Sequence, residues 1–413
     1  MDNKAQGQNT DQVGLFALWP NARRQEQQVL DDLNARFDIL GIYEIEWTPG
    51  LVAANYQRFY SDLQLRGVYH ANRKGTGKFL AVPVRDPKPD FQQRMTSKGS
   101  RLVNANFLDA KMLYREWSDD LNVHCSETVT EANRDVTMLL GTNAADTLAR
   151  RHEWSGKVVS LQRDITGAHG WDSLNHMFYV LNNAVNYVVL NSDVARTNDT
   201  QHAIELATDD YYGLHTLLSN RNYLPLLPEQ GCSLPVMIAG QKRMIGLRYV
   251  GDRFIDPDWM QELLINRKLD EGGYYRADDA NHFLVTAYCA LALRRGPLNM
   301  REFLATAPPP SGSFRRLRET DSPAELQRLL RQDLQDRMIN HPKPLDPTVC
   351  YNDLRTDMRS ASDTLANWKL AGARIRTRCS EQLAAQYWRI RDGIIFYAPW
   401  ISQARNALRS ANN

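Results

Sequence analysis

The sequence predicts an α+β fold with more than one domain. Three observations support this prediction. The chain has 413 residues, of which 43% are hydrophobic, so it is long and apolar enough to bury two or three cores. Apolar segments with the alternation typical of strands recur between segments with helical spacing. No internal repeat is present, which argues against a repeat architecture.

The first domain is predicted over residues 13–150, after a disordered tail at residues 1–12. It opens with the apolar strand VGLFALWP and a helix in NARRQEQQVLDDLNARF. Two further strands are predicted in ILGIYEIEW and GKFLAVPVRD, with a helix in NYQRFYSDL between them. The segment RDPKPDFQQRMTSKGSRLVNANF is predicted to be a loop, and a helix, the strand LNVHCS and a last helix complete the domain.

A second α+β domain is predicted over residues 151–305, with strands in NYVVLNS, HAIELA, LPVMIAG and MIGLRYVG. The Pro, Gly and Ser residues of ATAPPPSGS indicate a linker, which we place at residues 306–322. Residues 323–413 are predicted to form a helical, basic C-terminal region, because eight Lys or Arg residues and two acidic residues follow Trp368.

Composition excludes several classes of protein. Fifty Lys and Arg residues against 48 Asp and Glu residues argue against a dedicated nucleic-acid binder. The five cysteines are scattered and form no CxxC pair, so neither a disulfide framework nor a zinc site is indicated. No apolar run approaches the roughly 18 residues of a membrane span, and the polar N-terminus lacks an export signal. We therefore expect a cytoplasmic protein without an integral membrane segment.

The segment VHCSETVTEANRDV carries the pattern with the clearest chemistry. His124 is followed at short distance by Ser126 and, within the predicted helix, by Asp135. A neutral imidazole can attack a phosphoryl group when its other ring nitrogen is held in place. A hydroxyl group and a carboxylate nearby can supply that orientation.

This segment resembles the active-site signature of nucleoside diphosphate kinases. The segments LFALWPNA, ARFDILGIYEIEW, RFYSDL and GTGKFLAVPV are also similar to that family and follow in the family's order, so the resemblance covers about residues 14–141. It implies a ferredoxin-like fold for the first domain. It also implies that His124 accepts a phosphoryl group, that Ser126 and Asp135 orient it, and that a nucleoside triphosphate binds with Mg²⁺.

The chain departs from the family where cationic groups should stabilise the transferring phosphate. The family's phosphate-contacting lysine corresponds to Trp19, its neighbouring aspartate to Asn21, and its asparagine before the histidine to Leu121. The residues that we expect to contact phosphate instead are Arg94 and Arg115, with Lys74 or Lys78 in place of the lysine. Losing one such contact commonly slows a reaction about a hundredfold.

The second domain is similar to nucleotidyltransferases of the DNA-polymerase-β type, which place three acidic residues around two metal ions. At the corresponding positions this chain has Ala203, Glu205 and Gly246. One carboxylate is a poor site for two metal ions, so we predict a degenerate second site at Glu205 and no bound metal. The segment LRYVGDRFIDPDW resembles uncharacterised bacterial proteins of surface-polysaccharide gene clusters, which suggests a link to that synthesis.

Two hypotheses of function remain open at this point. The first is a nucleotide-binding or phosphotransfer protein with a phosphohistidine at His124. The second is a pseudoenzyme, a catalytically silent scaffold built from two inherited nucleotide-handling domains. The aromatic and basic helix YWRIRDGIIFYAPWISQARNALR is either a surface for a protein partner or a helix packed on the second domain. Formation of a homo-oligomer is also left open.

Overall fold

The structure is a computed structural model. It describes residues 11–61, 67–96, 99–118, 121–151, 154–192, 195, 202–219, 233–291, 323–339, 343–346 and 349. These residues belong to two compact units. The described residues of the first lie within 11–185, 216–219 and 238–240, and those of the second lie within 186–215, 233–237 and from 241 onward. Both contain helices and strands, which confirms the predicted α+β class.

The first unit contains a six-stranded sheet and a separate hairpin. Its strands are β1 (Gln12–Leu18), β2 (Asp38–Ile39), β3 (Ile42–Glu46), β4 (Phe79–Asp86), β5 (Phe91–Thr96), β6 (Gly99–Asn104), β7 (Val123–Cys125) and β8 (Val158–Gln162). Its helices are α1 (Glu26–Arg36), α2 (Val52–Tyr60), α3 (Gly67–Lys74), α4 (Ala105–Trp117), α5 (Val129–Leu140), α6 (Ala144–Ala149) and α7 (Leu174–Ala184). Short 3-10 helices precede α1 and α2, at Pro20–Gln25 and Pro49–Leu51.

The main sheet of this unit has the strand order β7-β1-β4-β3-β8, and β2 also pairs with β4. Pairing is antiparallel from β7 to β3, whereas β8 is parallel to β3. All seven residues of β1 are buried, as expected for an apolar strand in the interior of a sheet. The core on one face joins this sheet to α1 and α4, and its large members include Phe16, Leu33, Val82, Phe107 and Tyr114.

The first unit extends beyond the predicted boundary at residue 150. It continues to residue 185, because β8 adds to the edge of the sheet beside β3 and α7 packs against α5. The strand β8 is mostly exposed and pairs with a strand that lies far away in the sequence. Neither property leaves a local pattern that would assign it to the first unit.

The predicted loop between β4 and α4 contains the hairpin β5–β6, and this correction has a simple cause. The hairpin strands carry few buried side chains, so the alternation of apolar and polar residues that marks a half-buried strand is weak. Gly99, the first residue of β6, has a φ of +90°, a conformation that favours glycine. The hairpin is thus set by its backbone pairing rather than by a buried face.

The second sheet has the order β11-β12-β10-β9-β14-β13. Its strands are β9 (Tyr187–Val189), β10 (Ile204–Thr208), β11 (Ser233–Ile238), β12 (Gln241–Tyr249), β13 (Lys268–Leu269) and β14 (Tyr275–Arg276), and the helices that follow along the chain are α8 (Tyr211–Leu218), α9 (Pro257–Ile265), α10 (Asp279–Leu291) and α11 (Pro323–Asp336). Strand β10 is fully buried, parallel to β12 and antiparallel to β9. The second core includes Val188, Trp259, Leu263 and Tyr288.

The C-terminal region is described only in part. The helix α11 confirms helical structure at the start of the predicted region, and its Leu330 and Leu334 join the second core. The predicted linker at 306–322 and the basic, aromatic segment after Trp368 lie outside the described residues. Where the chain is described, none of its helices has the length and apolar character needed to cross a bilayer.

Candidate active site

Strand β7 and helix α5 hold the three residues predicted to act in phosphotransfer. Strand β7 lies at the edge of the first sheet, and its His124 pairs with Ala17 of β1. Helix α5 begins after Thr128, whose hydroxyl group accepts a hydrogen bond from the Glu131 backbone amide at 3.2 Å, as an N-cap residue does. This short connection brings the second turn of α5, with Asp135, beside the strand.

The side chains of His124, Ser126 and Asp135 form one hydrogen-bonded group. His124 Nε2 lies 2.7 Å from Asp135 Oδ2, and Ser126 Oγ donates to the same oxygen at 2.8 Å. Arg134 Nε and Nη2 donate to the other oxygen, Asp135 Oδ1, at 3.0 and 2.8 Å. We therefore find the three predicted residues together, in the arrangement that orients an imidazole through one nitrogen.

The electrostatics of this group favour a neutral imidazole beside an ionised carboxylate. Burial lowers the pKa of His124, and the nearby Asp135 carboxylate only partly opposes that effect. Burial alone would raise the pKa of Asp135, but Arg134 and His124 outweigh it and hold that pKa below its usual value. Nε2 therefore carries the proton and donates a hydrogen bond to Asp135 Oδ2. Nδ1 keeps a lone pair that bonds to none of the described residues.

Aromatic rings from α2 enclose the imidazole. The Phe59 ring packs edge-on against His124 with 5.0 Å between ring centroids, and Tyr60 does so at 5.8 Å. His70 of α3 stacks on Tyr60 with a centroid distance of 4.4 Å. These rings explain why His124 is only 12% exposed at its side chain, and the sequence pattern gave no sign of them.

Three cationic side chains lie near this group. Lys74 is buried, donates to the Leu121 backbone carbonyl and has its Nζ atom 5.3 Å from the Tyr60 ring centroid. Arg115 Nε donates to the Val123 backbone carbonyl at 2.9 Å, next to His124 in the strand. Lys74 and Arg115 were predicted from the sequence, whereas Arg134 was missed, although it directly precedes Asp135.

The other two predicted phosphate contacts lie elsewhere in the first unit. Arg94 is in the hairpin β5–β6, and its Nη2 atom is 2.9 and 3.1 Å from the two carboxylate oxygens of Asp109. Lys78 Nζ is 3.0 Å from Glu44 Oε1 on β3, which β1 and β4 separate from β7. In the structure, each of these two side chains is thus paired with a carboxylate rather than with His124, Ser126 or Asp135.

Trp19, which the sequence resemblance predicts to stand where nucleoside diphosphate kinases have a lysine, has a fully buried indole. Its ring centroid lies 4.8 Å from that of Phe79 and 5.0 Å from that of Tyr56. Its Nε1 atom donates to the Tyr60 hydroxyl at 2.9 Å, so the same tyrosine contacts both Trp19 and His124. The nearby Asn21 donates to the Arg73 backbone carbonyl at 2.7 Å.

The predicted degenerate site at Glu205 is filled by an arginine. Glu205 is directly opposite Gly246 on the adjacent strand, and a Cβ atom at Gly246 would lie 2.2 Å from Glu205 Oε2. Arg248 Nε donates to that Oε2 at 2.8 Å, and Arg248 Nη1 donates to Asp346 Oδ2 at 2.8 Å. Asp346 was not foreseen, since it comes from a part of the sequence outside the predicted domain.

Nearby acidic residues serve as backbone acceptors. Asp210 Oδ1 accepts from the Gly213 backbone amide at 2.9 Å in the first turn of α8, as a capping residue does. Asp252 accepts from the amides of Phe254 and Tyr249. Among the described residues, no group of three or more His, Cys, Asp or Glu side chains has an arrangement suited to a metal ion.

Comparison with known proteins adds no relative to this picture. No family model, curated protein or solved structure matches the chain. The function therefore has to be argued from the residues themselves.

His215 of α8 gives a first testable prediction, on pH dependence. Burial lowers its pKa to about 4, from a usual value of 6.5. As the pH falls, the unfolded chain takes up this proton before the folded chain does. This difference removes about 3 kcal/mol of unfolding free energy between pH 7 and pH 4. We expect His215→Gln to abolish that part of the loss, measured by urea unfolding across this pH range.

The pH dependence of the variant's unfolding free energy must be compared with that of the wild-type chain, because Asp252 changes this free energy with pH in the opposite direction. Burial raises its pKa to about 6, so its contribution to stability grows on acidification. The exposed His202 provides the control, since His202→Gln should leave the pH dependence nearly unchanged. Equal slopes for the His215 variant and the wild type would contradict the prediction.

Proposed function

We propose that the first unit is a nucleotide-binding phosphotransfer domain in which His124 accepts a phosphoryl group. The observation that carries this proposal is the hydrogen bond from Nε2 to the buried, ionised Asp135, which Ser126 reinforces. A second observation supports the ferredoxin-like fold implied by the sequence resemblance. The strands β3, β4, β1 and β7 form an antiparallel sheet in that spatial order, with helices between them along the chain.

The proposed step is an in-line displacement at phosphorus. The Nδ1 lone pair of His124 forms a bond to the γ-phosphorus of a nucleoside triphosphate, while the bond from that phosphorus to the bridging oxygen breaks and the nucleoside diphosphate leaves. The Nε2 proton stays shared with Asp135, whose negative charge stabilises the positive charge that develops on the ring. Mg²⁺ would enter with the nucleotide and neutralise part of the phosphate charge.

The cationic side chains set the expected rate. Lys74 and Arg115 can approach a phosphate beside β7, but each donates to a backbone carbonyl in this structure, so phosphate has to compete with those bonds. The family's lysine is replaced by the buried Trp19. Loss of one charged contact corresponds to about a hundredfold in rate, and we therefore propose slow phosphotransfer rather than fast turnover.

The test is transfer of label from γ-³²P-ATP or GTP, with Mg²⁺, to the full chain. We expect label that is lost in acid and retained in base, as for phosphohistidine, and no label on His124→Ala. Asp135→Asn should slow labelling strongly, since it removes the charge that holds Nε2, while the exposed His202 gives the matched control His202→Gln. Acid-stable label, or label that survives His124→Ala, would refute the proposal.

A silent scaffold is the second candidate, favoured by a specific observation in the second unit. Arg248 neutralises Glu205, the sole acidic residue left of the pattern, and buries its guanidinium there. We propose that the second unit has no metal-dependent transfer activity. If the whole chain is a scaffold, nucleotide will bind without labelling the chain. Equilibrium binding of unlabelled ATP would distinguish this outcome from a complete loss of nucleotide recognition.

A further inference from the structure

The loop between β8 and α7 borders a cleft that is separate from the His124 group. The cleft has a volume of about 760 Å³ and is lined by residues 46–49, 162–170, 172 and 176, all within the first unit. This volume lies in the range of roughly 300–1,000 Å³ that is usual for small-molecule sites. None of His124, Ser126 and Asp135 lines it.

Asp164 fixes one side of this cleft. Its side chain is 3% exposed, and its oxygens accept hydrogen bonds from Thr48 N at 2.9 Å, Thr48 Oγ1 at 2.7 Å and Asn55 Nδ2 at 2.6 Å. Burial raises the pKa of Asp164, but these hydrogen bonds and that of His169 outweigh the burial and lower it. The carboxylate is therefore ionised and held in one orientation.

Asp164 in turn orients His169. His169 Nε2 lies 2.9 Å from Asp164 Oδ2, so Nε2 carries the proton and Nδ1 is left as an acceptor that bonds to none of the described residues. The His169 side chain is 71% exposed and lines the cleft. In the same cleft, His176 Nδ1 lies 3.0 Å from Asp172 Oδ2 but does not form a hydrogen bond with it.

The lining contains several hydrogen-bond acceptors. Its acceptors include the Asp172 carboxylate, which is 91% exposed, the half-buried Glu46 and His169 Nδ1. Its one guanidinium, Arg163, already donates to the Leu140 carbonyl at 2.7 Å and to Thr166 Oγ1 at 3.1 Å. A ligand that supplies donors fits this inventory.

The net charge of the lining also favours a ligand that carries hydrogen-bond donors and a positive charge. The lining carries three carboxylates, those of Glu46, Asp164 and Asp172, against the single guanidinium of Arg163. The buried Arg58 is not part of the lining but donates to the carbonyl of the lining residue Thr166 at 3.0 Å. Its positive charge offsets only one of these negative charges. Anionic ligands are therefore disfavoured and cationic ligands favoured.

We propose that this cleft binds a small primary amine, whose ammonium group donates to Asp172, Glu46 and His169 Nδ1. An ammonium group supplies three donors and a positive charge in one compact group. The ammonium group therefore matches both the hydrogen-bond acceptors and the negative charge of the lining. The site is independent of phosphotransfer at His124, since the two share no residue.

The test compares three probes with the same four-carbon chain on the full-length protein at pH 8: 1,4-diaminobutane, 1,4-butanediol and succinate. Binding is followed through the ring signals of ¹³C-labelled histidines. We expect the diamine to shift the His169 and His176 signals and to bind at least about tenfold more tightly than the diol, the equivalent of one charge-assisted contact. Succinate should cause no saturable shift.

Variants of the lining residues distinguish an effect of charge on diamine binding from an effect on folding. Asp172→Asn and Glu46→Gln should each weaken diamine binding about five- to tenfold, because they remove lining charge at partly or fully exposed positions. Glu116→Gln changes an exposed acidic residue of α4 and should leave the affinity unchanged. The proposal is overturned if succinate binds as tightly as the diamine, if no probe shifts His169, or if all three variants lose affinity equally.

Discussion

Replacing Arg248 with methionine is expected to lower the unfolding free energy of the second unit by about 3–5 kcal/mol, the cost of breaking a buried ion pair from one side. Arg248 is fully buried, and its guanidinium lies 2.8 Å from both Glu205 Oε2 and Asp346 Oδ2. It also packs over the Phe254 ring, 4.2 Å from the centroid. Without it, two buried carboxylates lose their cation and have to take up protons or water.

Hydrogen exchange of the β10 and β12 amides, together with urea unfolding, measures this effect in the unit concerned. Lys268→Met is the matched control, because Lys268 pairs with Asp279 at 3.1 Å but is 55% exposed, and exposed pairs contribute about 0–1 kcal/mol. Combining Arg248→Met with Glu205→Gln and Asp346→Asn should restore part of the stability. A loss below about 1 kcal/mol for Arg248→Met would show that the ion pairs contribute little.

Replacing Trp19 with lysine is expected to lower the unfolding free energy of the first unit by at least about 3 kcal/mol, as for loss of a core tryptophan. From the sequence alone, this change restores the family's lysine and should favour phosphotransfer. In the structure, Trp19 is 0% exposed and is surrounded by rings, so a lysine there loses apolar contacts and buries its ammonium group among them. We therefore expect destabilisation rather than gain of activity.

Thermal and urea unfolding, with labelling by γ-³²P-ATP in parallel, check this result. Met112→Lys introduces the same side chain at a position that is 55% exposed and should change stability by no more than about 0.5 kcal/mol. Trp19→Phe keeps an aromatic ring but loses the bond to the Tyr60 hydroxyl, worth about 1 kcal/mol. A stable Trp19→Lys variant with increased labelling would contradict this expectation.

Most of the secondary structure could be predicted because buried strands carry a local signal. Strands β1, β4 and β10 are almost entirely buried, and their apolar runs stand out in the sequence. The hairpin β5–β6 and the strand β8 lack such runs, since their stability depends on backbone pairing with another segment. A single sequence does not specify those partners, so the domain boundary and the hairpin were missed.

The same distinction applies to the candidate site. His124, Ser126 and Asp135 come from one strand and the helix that follows it, so a resemblance within one short segment was enough to predict a cluster that the structure contains. Phe59, Tyr60 and Asp346 reach their partners through the tertiary fold, and no local pattern marks them. Arg94 and Lys78 were predicted from the order of segments along the sequence, but that order does not determine the direction of a side chain.

The register that sets Glu205 opposite Gly246 makes a three-acid metal site hard to build at this point of the second unit by single substitutions. A carboxylate introduced by Gly246→Asp would begin with a Cβ atom 2.2 Å from Glu205 Oε2 and 2.7 Å from Oε1, in space that the Glu205–Arg248 pair already fills. A chain with such a site would thus need Arg248 to be removed and Glu205 to move as well. Each of those steps alone leaves a buried charge without its partner, so a stepwise path to a three-acid metal site passes through destabilised intermediates.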